Sequence, residues 1–311
     1  MPIIGTFAGN LYRLLLELKA NWVIGKNKTV PVLEISLDFK IKNPYFTYQD
    51  MTWYGGLVVN NLRKNHPFIV EAGGQKFFSQ KELCQKIKYQ KKVRENCRAS
   101  FFMSQWVAAF TKEECPNMKE KICFVGGGAN LDVTKIDVSK KKGNKFLFVG
   151  RDFRRKAGDL VIEAFKVIRD QYSENMELHI AGPTDLNISE KNIFTYGDAD
   201  NQTVNDLMNK CDVFVMPSRF EAYGLVFAEA LIHGMPCIGR NLFEMPYFIQ
   251  DGVNGRLILD DDSSFLAKTM YATITDAQMI RFVQKHQNEY IDKYSWNSVA
   301  SRIAEVIEKL T

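Results

Sequence analysis

The sequence predicts an α/β protein whose second half builds a parallel, doubly wound sheet. Apolar segments of strand length alternate with amphipathic helices from Lys145 onward, and strands alternating with helices argue for parallel crossovers. Each of those strands runs into Gly, Pro or a charged residue, as loops facing a ligand at the carboxyl end of such a sheet do. The length of 311 residues exceeds what one core usually organises, so two domains are expected.

Taken in order, Leu11–Trp22 reads as an amphipathic helix, and Val32–Leu37 and Tyr45–Gln49 as strands. Phe77–Arg98 is a long helical stretch rich in Lys and Gln. Ser100–Met103 and Ile122–Val125 are expected strands with a helix between them. The Gly- and Lys-rich stretch Gly126–Asn144 lacks periodicity and is taken as the connection between domains. Lys145–Val149 is a strand. Gly158–Asp170 is a helix with its apolar face at Leu160, Val161, Ala164, Phe165 and Ile168. Glu177–Ala181 is a strand ending in Gly182-Pro183, and Asn192–Tyr196 one ending in Gly197-Asp198. Val204–Cys211 is a short helix. The strand Asp212–Met216 then enters a Pro217-Ser218 turn and a loop carrying Glu221. Gly224 opens a helix that carries Glu229, and Gly234 and Pro236 close it before a further apolar strand. Asp276–Thr311 reads as two helices separated near Tyr294-Ser295.

Composition excludes more than it assigns. Hydrophobic content of 46% and charged content of 25% are those of a globular protein. A net charge of +5 suits anionic small ligands or an anionic surface and is too weak to argue for nucleic acid. The six cysteines form no CxxC pair, and Cys211 and Cys237 fall beside or within apolar strands, which suits a reducing, cytoplasmic setting. Met1–Gly9 has no charged leader region, and no apolar run is long enough to span a bilayer.

Two loops carry the chemistry. The run Gly150-Arg151-Asp152-Phe153-Arg154-Arg155-Lys156-Ala157-Gly158 follows a strand and precedes a helix, so its cations stand where such a sheet binds ligands. Arg grips phosphate oxygens in bidentate fashion and Lys adds a compact charge. Alone, the run is equally a solvated basic loop. The second loop opens a helix whose leading amides attract phosphate, yet Glu221 and Glu229 flank it. Carboxylates would repel a phosphate but accept hydrogen bonds from neutral hydroxyls. The suggested ligand therefore has both phosphates and sugar hydroxyls. Glu229 lies in an apolar helix and needs partners there.

The order strand–Gly-Arg–Lys, strand–Ala-Gly, strand–Gly-Asp, then Pro-Ser-x-x-Glu-x-Tyr-Gly-Leu-x-x-x-Glu-Ala, resembles the nucleotide-sugar domain of retaining glycosyltransferases with the GT-B fold, family 4, also called glycosyl transferases group 1. The likeness covers Lys145 to Leu259, with Asp251-Gly252-x-Asn254-Gly255. It extends more weakly to Ser104-Gln105-Trp106, to Gly126–Leu131 and to Tyr294-Ser295-Trp296.

The resemblance implies two Rossmann-like domains with parallel sheets facing a cleft. It divides the chain into an acceptor-side domain at 1–143, a nucleotide-sugar domain at 144–292 and a closing helix at 293–311 that packs back on the first domain. The first domain is read as reduced or incomplete, because the family's opening strand with its Gly-rich loop is not recognisable. In the implied site, Arg151 and Lys156, next to Gly150, neutralise the donor diphosphate. Backbone amides of Tyr223–Leu225, beside Ala222, bind its oxygens with Gly224 opening the helix. Glu221 orients the transferred hexose, Glu229 binds ribose hydroxyls, and the backbone at Gly197-Asp198 borders the base. Ala222 and Ala157 stand where family members often have Gly. Neither a metal nor another cofactor is implied, only a nucleotide diphosphate sugar as donor.

Asp50, after the strand Tyr45–Gln49, resembles an Asp-x-Thr segment near the cleft of some family members, although its place after a strand favours a turn-initiating role over a catalytic one. His66 reads as a loop residue and His179 as a packed strand residue. His233 falls in the last turn of its helix, where a cation suits the dipole. Asp198-Ala199-Asp200 has metal-site spacing, but its place before a helix favours capping. The expected acceptor is a hydroxyl of a glycan or of a lipid-linked saccharide. In the lipid case Lys81–Arg94 and Leu11–Trp22 are the segments available for peripheral contact with the inner face of a membrane. The competing readings are a non-catalytic nucleotide-sugar-binding subunit and a GT-B sugar-nucleotide epimerase.

Overall fold

The computed structural model describes residues 32–35, 41–62, 64, 79–184, 186 and 188–310. The expected helix Leu11–Trp22 and His66 lie outside them. The chain forms two compact units. The first comprises Met1–Val58, Gly73–Gly126 and Ala300–Thr311, and the second Val59–Ala72 and Gly127–Val299.

The first unit is built on a four-stranded, wholly parallel sheet in the order β1-β2-β3-β4. Its strands are β1 (Val32–Ile35), β2 (Tyr45–Gln49), β3 (Ser100–Phe102) and β4 (Ile122–Phe124). Every residue of β2 and β3 is buried, as parallel strands covered on both faces must be. Phe46 and Phe101 stack at 5.8 Å between adjacent strands. The helices are α1 (Trp53–Leu62), α2 (Gln80–Asn96) and α3 (Gln105–Glu114). α2 begins at a capping box: Ser79 Oγ accepts from Glu82 N–H, and the Glu82 carboxylate accepts from Ser79 N–H. α1 was not expected, because WYGGLVVNNL has two glycines and no apolar stripe to betray a helical period.

The second unit holds a six-stranded parallel sheet in the order β10-β9-β8-β5-β6-β7. The strands are β5 (Lys145–Val149), β6 (Glu177–Ala181), β7 (Ile193–Thr195), β8 (Val213–Val215), β9 (Cys237–Arg240) and β10 (Gly255–Ile258). The helices are α4 (Gly158–Gln171), α5 (Asn201–Lys210), α6 (Leu225–Ile232), α7 (Met245–Phe248), α8 (Ser263–Ile274), α9 (Ala277–Lys285) and α10 (Gln287–Lys293); α11 (Trp296–Leu310) starts in this unit and from Ala300 onward belongs to the first. The predicted apolar face of α4 is buried throughout. α5 starts three residues earlier than its apolar pattern suggested, because Asp200 caps it by accepting from Thr203 N–H at 2.8 Å. The expected single helix after Asp276 is broken at His286, whose backbone N–H and ring both turn back on the Phe282 carbonyl.

The stretch after Gly126 has little regular structure, only the short turns Val133–Lys135 and Val138–Lys140. It is nevertheless tied down. The Asp212 carboxylate accepts from the backbone N–H of Gly143, Asn144 and Lys145 at 2.8, 3.0 and 2.9 Å, which fixes where β5 begins. Among the described residues no helix is long and apolar enough to cross a membrane.

Candidate functional site

The second sheet has a point where its strand order reverses. From β5 the chain steps outward to β6 and β7, and β8 then returns to the other side of β5. In such a sheet the crevice at the carboxyl ends of the two central strands is the natural ligand site. The loops entering it follow β5 and β8, and they are the basic run and the Glu221 loop.

The basic run is a compact turn anchored in the core. Phe153 packs edge-on to Phe148 of β5 at 5.6 Å. Lys156 N–H donates to the Asp152 carbonyl at 2.9 Å. Ala157 launches α4 from the left-handed region, with φ 60° and ψ 34°, a conformation that costs a residue with a Cβ about 1 kcal/mol. The Lys156 stem lies flat across Gly150, where a Cβ would come within 2.2 Å of Lys156 Cδ. Burial pushes the Lys156 ammonium below the usual lysine range. Glu221 pulls it back up, Arg155 lowers it further, and Asp152 and Glu229 raise it. One half-buried ammonium therefore sits in the field of both predicted glutamates. Its Nζ makes no hydrogen bond among the described residues.

In the second loop, Glu221 is buried, accepts from Ser218 Oγ at 3.3 Å, and lies 3.6 Å from Arg155 Nη1. Gly224 then opens α6 at φ 95°, and no side chain caps the leading turn. The two loops are latched together. Arg155 Nη1 donates to the Phe220 carbonyl at 2.7 Å, and Arg219 N–H donates to the Arg155 carbonyl at 2.8 Å. Arg219 Nη1 donates to the Arg154 carbonyl at 2.6 Å, and its guanidinium pairs with Asp159 and Asp261. The fully buried Arg240 donates to the Pro217 and Ser218 carbonyls and pairs with Asp261.

A strap runs beneath the second loop. Tyr223 Oη accepts from Gly127 N–H at 2.9 Å and donates to the Gly127 carbonyl at 3.2 Å. A Cβ on Gly127 would meet the Tyr223 ring at 2.8 Å. Burial raises the Glu229 pKa, and the Asn130 backbone and Lys156 oppose that rise. Ala129 N–H donates to the Tyr294 carbonyl at 2.8 Å, and Trp296 Nε1 to Asn130 Oδ1 at 2.8 Å.

The structure thus brings Lys156, Glu221 and Glu229 together, with Ala222, Tyr223, Gly224 and Leu225 between the glutamates in sequence. It places Arg151 elsewhere. That side chain is 79% exposed and its Nε donates to Asp198 at 2.7 Å. The guanidinium that reaches Glu221 is that of Arg155. The Gly197 carbonyl accepts from Gly182 N–H at 2.6 Å and from Ala199 N–H at 2.8 Å. Asp50 belongs to the first unit, exposed just past the end of β2. His179 is packed in β6, bonded to Tyr196 and Glu177.

His233 is not the dipole-facing cation expected. It is fully buried and its pKa is pushed down to about 4, chiefly by burial. Its Nδ1 lies 2.7 Å from the Glu229 carbonyl oxygen and its Nε2 3.0 Å from Asn205 Oδ1. Two contributors escaped the sequence reading. Arg155 sat in a run where Arg151 drew attention, and the stretch from Gly127 to Asn130 read as a connector with a weak family likeness and no named role.

Residues 132–294 match the family model of glycosyl transferases group 1. The chain belongs to this family. A Klebsiella pneumoniae protein described as an uncharacterized 41.2 kDa protein in the cps region is 33% identical over 163 residues, covering 49% of this chain and 45% of that one. The phosphatidyl-myo-inositol mannosyltransferase of Mycolicibacterium smegmatis is 25% identical over 189 residues, covering 58% of this chain and 49% of the relative. The chain spans about half the length of these curated relatives. Among solved structures, WaaG, a glycosyltransferase involved in lipopolysaccharide biosynthesis, superposes with a TM-score of 0.64 at 16% identity, covering 93% of this chain and 80% of that one. That likeness shows the fold, which is of the GT-B type.

Proposed function

We propose that this group 1 glycosyltransferase domain binds a nucleoside diphosphate sugar and transfers its hexose, with retention, to a hydroxyl acceptor. The observation that carries the reading is the Lys156 ammonium, without a hydrogen bond among the described residues and in the field of Glu221 and Glu229, on the loop after β5 where the order of a parallel sheet reverses. An ammonium without a hydrogen-bond partner is prepared for an anion. The glutamates around it suit hydroxyls of the same ligand. As the sugar–phosphate bond breaks, negative charge grows on the diphosphate. Lys156 and the leading amides of α6 are placed to stabilise it without reorganising. Glu221 orients the hexose and Glu229 takes ribose hydroxyls. Arg151 reaches the diphosphate only after leaving Asp198. The base lies toward Gly197-Asp198.

The acceptor hydroxyl attacks the face the diphosphate leaves, and the departing phosphate oxygen takes its proton, so no metal or other cofactor is required. Asp50 is the acceptor-side candidate. The phosphatidyl-myo-inositol mannosyltransferase among the relatives supports a hexose donor and a lipid-linked acceptor class. A family 4 assignment, a role in polysaccharide synthesis and a place on the cytoplasmic membrane face belong to the same reading.

The test is calorimetry with uridine, guanosine and adenosine diphosphates, followed by donor turnover for whichever binds. The expected outcome is binding of one diphosphate, with Glu221→Ala sparing that binding and cutting transfer at least tenfold. Transfer by Glu221→Ala at the wild-type rate would remove Glu221 from the hexose site. Failure of all three diphosphates to bind would remove the donor site itself.

A further inference from the structure

We propose that Arg155 is a positioning residue that fixes the Glu221 carboxylate, and does not itself hold the ligand. The inference rests on the donor-site reading above. Arg155 is the only residue of the basic turn whose described side-chain bonds reach across to the Glu221 loop. Its Nε is committed to Asp152 at 2.8 Å and its Nη1 to the Phe220 carbonyl at 2.7 Å, one residue before Glu221. The same Nη1 lies 3.6 Å from Glu221 Oε2. Its own carbonyl accepts from Arg219 N–H at 2.8 Å, so backbone and side chain grip opposite ends of the stretch from Arg219 to Glu221.

The side chain is 18% exposed, against 79% for Arg151. A guanidinium this enclosed, with Nε and Nη1 committed to Asp152 and the Phe220 carbonyl, is poorly placed to turn toward a diphosphate. Lys156, with no such bonds, fills that role. The planar fork of Arg can serve a carboxylate, a carbonyl and a second carboxylate from one fixed position, which the single ammonium of Lys cannot.

The experiment is a double-mutant cycle in the full chain, with Arg155→Ala, Glu221→Ala and the pair, read on two measurements. One is calorimetric affinity for the nucleoside diphosphate alone. The other is kcat and KM for consumption of the matching sugar nucleotide, tried as UDP-glucose, GDP-mannose and ADP-glucose. Arg155→Ala is expected to leave diphosphate affinity within threefold and to lower kcat at least tenfold. The pair is expected to be no slower than Glu221→Ala within twofold, since the arginine acts through that carboxylate. Arg155→Lys should recover part of the lost kcat. Should Arg155→Ala melt below the assay temperature, the cycle is run with Arg155→Lys, which keeps the charge.

Equal loss of diphosphate and sugar-nucleotide binding in Arg155→Ala would overturn the proposal and make Arg155 a phosphate ligand. Multiplying single-mutant losses, or an unchanged kcat, would also overturn it, while leaving the donor site standing. A wild-type protein that binds no diphosphate would instead remove the donor site, and Arg155's role with it.

Discussion

The two units carry similar sheets and similar arginine–glutamate pairs, but put them to different uses. In the first sheet the described strands step steadily from β1 to β4, and in the second the order reverses between β5 and β8. Arg94 of the first unit is 0% exposed and pairs at 3.1 Å with Glu114, joining the ends of α2 and α3. Its Nε and Nη2 have no hydrogen-bond partner among the described residues. Burial raises the Glu114 pKa, and Arg94 only partly offsets that. Arg155 of the second unit is looser toward Glu221, at 3.6 Å, but its Nε and Nη1 donate into two loops at the switch point. A buried pair far from a reversal in strand order serves packing. A better-satisfied pair at the reversal arranges a site.

Three measurements would break or sharpen that contrast. The largest effect is expected from Arg94→Ala, which strands Glu114 in a buried setting and should cost about 3–5 kcal/mol of stability. Arg155→Ala should cost less than that, because Asp152, which takes its Nε, is itself half exposed. Denaturant midpoints that rank the two variants the other way would dissolve the distinction.

The next effect concerns His233, a structural group within the functional unit. Its folded pKa of about 4 lies below the unfolded value near 6.5. Above pH 6.5 both states are neutral and the histidine adds no pH dependence. Between 6.5 and 4 the unfolded chain takes up a proton that the folded one refuses, so stability falls as pH falls. The loss is roughly 2–3 kcal/mol by linkage. His233→Gln should flatten that part of a stability–pH curve. An unchanged slope would mean that another group carries it.

The smallest effect in free energy bears directly on activity. Lys156→Ala should lower turnover roughly ten- to a hundredfold, the value of about 1.5–3 kcal/mol for a charge-assisted contact. Because burial depresses the Lys156 ammonium, wild-type kcat/KM should fail on the alkaline side below the ordinary lysine range. Lys156→Arg should move that limb upward. A limb that stays in place would detach Lys156 from the chemistry.

The second unit was far more legible in the sequence than the first, for physical reasons. Its strands and helices alternate with clear period and Gly or Pro punctuation, so β5 and β6 fell where the sequence predicted and α4 within one residue. Lys156 and Glu221 were readable because their loops lie at strand ends, and Glu229 because it interrupts an apolar helix. Arg155 was not, since the choice between adjacent arginines depends on which way each side chain leaves a tight turn. Ala157 occupies a left-handed position that the resemblance assigns more often to Gly, so the turn survives the substitution at some cost in strain. In the first unit α1 hides behind Gly55 and Gly56 and an all-round apolar composition. The His286 break escaped because a ring returning to a carbonyl leaves no mark on hydrophobic periodicity.

The strap from Gly127 to Asn130 has a practical corollary. The Gly127 amide already serves the Tyr223 hydroxyl and the Asn130 backbone offsets the burial of Glu229, so these four residues behave as part of the wall around the helix that carries Glu229. Anyone excising the second unit for separate study would have to begin the polypeptide no later than Gly127. A later start would leave one carboxylate and one phenol without the neighbours that hold them in place.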